Sequence, residues 1–466
     1  MEYTELADYS VFAGDVTLWS ASADTALAAV DQRPVSPQHE THVTARNDGD
    51  PDWIGTVFEI RLPFDADVLR ATLEAWHSRH ESFRTTVRIT PNGLQRLTFR
   101  AEDVTVTGRP AGSHQTVERV YDVVSRFFDR TISPSTWPHL VAATVVPDDQ
   151  EDGPRFLLAF AADHSVLDAY SQVIAISELD QLYAAILHDI PPSLDPPAAS
   201  YIDFSAEECG MAALAIQGND TTERWRSFLS VDERCFPGFP LPTADHNGSC
   251  TLPQRSASRQ IVAPEVADTL HAVARSCGFG MQPAILVALA RAIAATTDGA
   301  PLRMVMPMHT RSERYQTSMG WFVGISPLTL DLTGAADLKQ ELQRAEDASA
   351  YIRTDAQIPF ATIAQLLDIR SCPRFVVSYV DIRHLPGAAQ FDAQRARALR
   401  SIRYSDDEVY LWIVRARGGI NVSARFPNNM AAADSFERFL AAFTEAVHQL
   451  AGVPVPEAAQ VRVPAV

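Results

Sequence analysis

Residues 156–171 read FLLAFAADHSVLDAYS, an apolar run of strand type that ends in the polar triplet Asp163-His164-Ser165 and reaches Asp168 just before a helical pattern. A histidine at a strand end can present one ring nitrogen to a cleft, and an aspartate four residues later can brace the turn. Imidazole is the side chain whose ordinary pKa suits accepting a proton near neutral pH, so the spacing points to a general base at His164. Asp163 and Ser165 flank it as candidates to line the same site. No Ser-His-Asp order, nucleophile elbow, metal-ligand cluster or Gly-rich phosphate loop stands out, so neither a covalent intermediate nor a metal is expected.

The histidine needs a strand to deliver it and a helix to carry the chain away. Residues 156–162 form the strand. In 169–188, Val173, Ile176, Leu179, Leu182, Tyr183 and Ile186 recur on one face, the pattern of an amphipathic helix. Upstream, the patterns predict strands at 16–19, 56–62, 95–99 and 139–146, a strand beginning within 79–89, and helices at 65–79 and 117–128. The stretch PPSLDPPAAS (191–200) denies backbone donors and resists helix, so it reads as a surface connection. A helical piece at 201–229 and an irregular stretch to 258 follow. The second half alternates again, with helices at 264–277, 281–297, 338–353, 360–368 and 432–451 and strands at 302–307, 322–332, 375–381, 409–415 and 420–426. The fold class is therefore α/β, with lobes at 1–200 and 259–466, a connecting segment at 201–258 and a cleft between the lobes.

Composition narrows the partners. A net charge of −19 argues against a nucleic-acid backbone, which is bound by a basic footprint. Five dispersed cysteines (Cys209, Cys235, Cys250, Cys277, Cys372) fit reduced thiols better than disulfides or zinc. No run of about 18 apolar residues predicts a membrane span, and the acidic start MEYTELADYS is unlike a secretory signal. The expectation is a cytoplasmic protein.

DHSVLDA resembles the HHxxxDG signature of the condensation-domain and chloramphenicol acetyltransferase-like superfamily. Four further stretches are similar to that family in order and spacing: RHESFRTT (79–86), MPMHTRSER (306–314) running into MGWFVGISPLTLDL (319–332), FVVSYVDIRHLPG (375–387) and INVSARFPNNMAAADSFERFLAAF (420–443). The Gly-Trp-Phe and Ser-Tyr-Val-Asp-Ile-Arg forms look most like the polyketide-associated acyltransferases of actinobacteria. The resemblance implies two chloramphenicol acetyltransferase-like lobes in a V-shaped pseudo-dimer with a central tunnel, complete in a monomer.

It also implies acyl transfer from a thioester donor to a hydroxyl, less readily an amine, in lipid or secondary metabolism. The donor would be acyl-coenzyme A or the phosphopantetheine arm of an acyl carrier protein, as co-substrate rather than bound cofactor. The acceptor would be a small molecule, lipid or sugar. His164 would be the base. Asp168 would be structural, paired with Arg311, or else with Arg314. Trp321, Phe322 and Ser326 would line the tunnel, as the matching family strand does; Ser378 and Tyr379 are, by residue type, candidates to hydrogen-bond the thioester carbonyl or the tetrahedral oxyanion, and ordinary strand packing competes with both roles. Two departures stand out: Asp163 replaces the first His, and Ala169 replaces the terminal Gly, so the chain should enter its helix without a positive φ. SDDEVYLW (405–412) stands where a DFGWG-type element is expected, which leaves open whether a strand bridges the lobes.

Arg395, Arg397, Arg400 and Arg403 form the densest basic run, read as a dock for a coenzyme A phosphate or an acidic carrier protein, or as a solvated helix face or loop. His39, His42 and His309 read as surface or structural residues. Two other functions remain open: an amide-forming condensation enzyme, and a non-catalytic module that binds a carrier protein.

Overall fold

The strand Phe156–Asp163 is buried at every position. A near-continuous apolar run with both faces covered belongs in the middle of a sheet, and the sheet is built outward from it. The computed structural model describes residues 2–45, 52–91, 93–149, 151, 153–215, 219–232, 235–244 and 253–455; Cys250 lies outside them. In chain order the described strands are β1 (Glu2–Thr4), β2 (Gly14–Ser22), β3 (Ala29–Asp31), β4 (Trp53–Ile60), β5 (Thr85–Thr90), β6 (Gly93–Thr98), β7 (Thr105–His114), β8 (Leu140–Pro147), β9 (Phe156–Asp163), β10 (Gln254–Val262), β11 (Leu302–His309), β12 (Val323–Leu330), β13 (Phe375–Asp381), β14 (Arg397–Arg400), β15 (Val409–Ala416) and β16 (Gly419–Pro427). They form a large sheet β1-β14-β4-β9-β8-β2-β7, a second β10-β16-β15-β13-β11-β12, and a small one β3-β6-β5.

Helices cover the sheets. In the first half these are α1 (Pro37–Ala45), α2 (Ala66–Arg79), α3 (Val117–Thr131) and α4 (Ala169–Leu187). Asp65 caps α2 and Thr116 caps α3 with their side-chain oxygens, as a polar residue ahead of an amphipathic run should. Helices α5 (Tyr201–Leu214) and α6 (Asp220–Ser230) make the connection. The second half carries α7 (Pro264–Ser276), α8 (Met281–Thr296), α9 (Leu338–Ser349), α10 (Ile352–Ala356), α11 (Phe360–Leu367) and α12 (Met430–Ala451). Helix α8, apolar nearly all round, lies in the core between α9 and α12. No single helix among the described residues is long and apolar enough to cross a membrane.

Several expectations need correction. The stretch read as irregular to 258 already pairs from Gln254, where β10 lies antiparallel to β16. The single helical piece at 201–229 is two helices. The segment inside the arginine run is a strand rather than a helix face or loop. β14 leaves the second half of the chain to join the first sheet, antiparallel to β4 and parallel to β1. A strand therefore does bridge the halves, without a DFGWG-type sequence. Ala396, Ala398, Trp412 and Val414 share one core with Trp76, Phe160 and Ile174, so apolar side chains from both halves pack together at the junction.

Candidate active site

At the end of β9 the Asp163 N–H donates to the His139 carbonyl at 2.8 Å. The chain then turns. The Val166 N–H donates to the Asp163 carbonyl at 3.1 Å, and the Ser165 N–H donates to Asp163 Oδ1 at 2.9 Å. This turn holds His164 half-buried at its tip. The ring lies 4.4 Å from that of Trp321, tilted by 38°, and among the described residues its buried Nδ1 has no hydrogen-bond partner. Burial pushes the imidazole below its ordinary pKa, opposed in part by the Asp52 carboxylate and by the residue's own backbone. The uncharged ring, the form that accepts a proton, is thus the resting state near neutral pH.

Asp168 is fully buried and does two jobs. Its Oδ1 caps α4 by accepting the Ser171 N–H at 2.7 Å and pairs with Arg311 Nη2 at 2.8 Å. Its Oδ2 accepts the Phe322 N–H at 3.0 Å. Arg311 also donates to Ser171 Oγ at 2.7 Å and to the Tyr315 and Ser318 carbonyls, and its guanidinium lies 4.0 Å from the Phe322 ring. α4 begins directly at Ala169, so the missing glycine is accommodated by a helical turn. Ser171 Oγ donates to the Gly320 carbonyl at 3.2 Å and accepts the Gly320 N–H at 3.3 Å. A Cβ at Gly320 would lie 2.4 Å from ring atoms of Tyr201, so only glycine lets the backbone pass there and bring Trp321 to His164.

The signature's altered first position has a partner that sequence reasoning missed. His42, on α1, sets its Nε2 3.1 Å from both carboxylate oxygens of Asp163. Its ring also meets Trp321 edge-on at 5.4 Å. Burial alone would push Asp163 up, but the His42 hydrogen bond and charge, with His139 and Ser165, hold it well below the usual carboxylate range. The signal was the substitution itself: a buried carboxylate where the family has an imidazole demands a cation nearby. His39 is a buried structural residue whose pKa burial depresses to about 3, and His309 is exposed.

The other candidates divide. Phe322 is fully buried among Tyr201, Phe204 and Tyr315, away from the ring that Trp321 offers to His164. Ser326 is buried against Asp355, which Arg224 and Thr221 also hold. Among the described residues Ser165 Oγ and Tyr379 Oη are buried without hydrogen-bond partners. Ser378 is half-buried on β13, in register with Trp412. Arg314 pairs with Asp203 and Glu207 at the surface rather than with Asp168. The four arginines do not form one exposed patch. Arg395 pairs with Glu59 at 2.5 Å, Arg403 with Asp52 at 2.6 Å, Arg397 donates to a backbone carbonyl, and Arg400 is buried. Among the described residues no group of His, Cys, Asp or Glu could hold a metal ion.

Comparison with known proteins gives the family and the fold. Residues 53–463 match the family model described as the condensation domain. The acyltransferase PapA3 of Mycobacterium tuberculosis is 22% identical over 473 residues, covering 96% of each chain. The trehalose-2-sulfate acyltransferase PapA2 of Mycobacterium bovis is 21% identical over 460 residues, covering 94% of this chain and 95% of its own. Among solved structures, a PapA2 acyl transferase superposes with a TM-score of 0.86 at 19% identity, covering 97% of this chain and all of its own.

Proposed function

The chain belongs to the condensation-domain family and is an acyltransferase, and from that premise we propose that it passes an acyl group from a thioester directly to a hydroxyl, with His164 as general base. The observation that carries the proposal is the half-buried imidazole of His164 against Trp321, where the turn after β9 meets a segment from the other half of the chain and burial lowers the ring's pKa. The acceptor hydroxyl gives its proton to His164 Nε2 as its oxygen attacks the thioester carbonyl. The tetrahedral intermediate then collapses, the C–S bond breaks, and the imidazolium returns the proton to the departing thiolate. General-base help of this kind is typically worth about 10²–10⁴ in rate. Asp168 and Arg311 act as positioning residues, fixing the start of α4 against the segment that carries Trp321.

The donor in this reading is acyl-coenzyme A or an acyl carrier protein, and the setting is lipid biosynthesis in the cytoplasm. Relatives named for action on trehalose-2-sulfate and on 2'-acyl-2-O-sulfo-trehalose support a sugar hydroxyl as acceptor. Ser378 and Tyr379 are the candidates to meet the thioester oxygen. Thiol release from a panel of acyl-coenzyme A and carrier-bound donors, with and without alcohol acceptors, tests the proposal. Release should require the alcohol. Release that responds only to an amine would move the chain to amide formation, and a stable acyl adduct by mass spectrometry would overturn direct transfer.

A further inference from the structure

Arg400 ends β14 in register with Ile54 of β4, and Ile54 is in register with Ala162 of β9, two residues before His164. Residues directly opposite across neighbouring strands share a face, so Arg400 stands on the same side of the sheet as Ala162, about 10 Å away at two strand spacings. The next residue keeps the alignment: the Ser401 N–H donates to the Trp53 carbonyl at 2.9 Å, and Trp53 is in register with Asp163. Arg400 is only 6% exposed, and among the described residues its guanidinium makes no hydrogen bond or ion pair, its Nε and Nη2 being buried without partners. It lies 3.7 Å from the centre of the Trp412 ring, which is itself stacked against Tyr410 at 4.0 Å and Tyr3 at 5.0 Å.

Among the described residues the nearby charges are engaged elsewhere. Glu408 pairs with Arg425, and Glu5 accepts from Ser256 Oγ at 3.1 Å. Both Arg395 and Arg403, on either side of β14, have carboxylate partners. Burial and the neighbouring Arg425 push the Arg400 guanidinium's pKa down, an effect that a bound anion would reverse. A cation buried with unmet donors is costly, and an indole face offsets only part of that cost. The two unmet nitrogens share one edge of the guanidinium, the fork that binds two oxygens of one anion side by side.

We propose that Arg400 is a binding residue for a tetrahedral oxyanion ester, sulfate or phosphate, carried by a substrate that reaches His164. This rests on the acyl-transfer reading above. The anion could be a sulfate ester on the acceptor or the phosphate of the donor's pantetheine arm. The subsite binds and orients; it takes no part in bond making.

Melting of the full chain in inorganic sulfate or phosphate, against chloride at matched ionic strength, tests the subsite without any turnover. The wild type should gain melting temperature with either oxyanion, Arg400→Lys should need about tenfold more for the same gain, and Arg400→Met should show none. In chloride alone Arg400→Met should melt no lower than wild type, because it removes an unsatisfied buried charge. Equal oxyanion responses in all three proteins, or a strongly lowered melting point of Arg400→Met in chloride, would overturn the proposal. Turnover then identifies the source. Arg400→Met should raise KM by about tenfold or more for either a sulfated sugar over its unsulfated parent, or a phosphopantetheinyl thioester over an acyl-N-acetylcysteamine lacking phosphate. Unchanged ratios in both arms would overturn the proposal. A wild type that turns over no thioester yet responds to oxyanions would sink the acyl-transfer reading and leave the subsite standing.

Discussion

His164 and His42 both lie against the Trp321 ring, one as an uncharged imidazole and the other beside the Asp163 carboxylate. His164 was legible because its chemistry is local: a strand end, a histidine and an aspartate four residues on. His42 was not, because its partner lies 121 positions away and its helix carries no apolar stripe to announce it. The direction of the His164 shift gives a prediction. A base works only when unprotonated, and burial lowers the pH at which this ring gains its proton. The acid limb of kcat/KM against pH should therefore fall below about 6.5, the ordinary imidazole value. A limb at or above that value would mean that His164 is not the titrating base, or that its site is wetter than the structure has it.

The elements that meet at the site are held by Asp168, which caps α4 and pairs with Arg311 after β11. Asp168→Asn keeps the cap, since asparagine caps a helix about as well as aspartate, but leaves the Arg311 cation without its carboxylate and turns an amide donor toward the Phe322 N–H. Breaking a buried pair from one side costs about 3–5 kcal/mol, so urea unfolding of Asp168→Asn should show a loss of that order. A loss under about 1 kcal/mol would mean that the cap alone matters. Most elements were readable because their hydrophobic pattern lies in single segments, a continuous apolar run in β9 and a helical period of 3.6 in α2. β14 was not readable: it is four residues long, two of them are arginines, and it is a strand only because an edge from the other half of the chain is there to pair with. Helix α1, PQHETHVTA, failed for a related reason, since its sequence carries no amphipathic pattern.

At the scale of the whole molecule, β14 and the shared core around Trp412, Trp76 and Phe160 join halves that the alternation of elements along the sequence sets apart. The two should therefore unfold together. Tryptophan fluorescence and far-ultraviolet circular dichroism should report one coincident urea transition, whereas two separated transitions would mean that the crossing strand is a weak graft. Convergence of both halves on His164 is the central claim, and one measurement tests it most directly: acceptor-dependent thiol release by wild type and His164→Ala, with circular dichroism confirming that the variant is folded. A folded variant slowed by about 10²–10⁴ is the result expected of a lost general base. A folded variant that keeps wild-type turnover would contradict it.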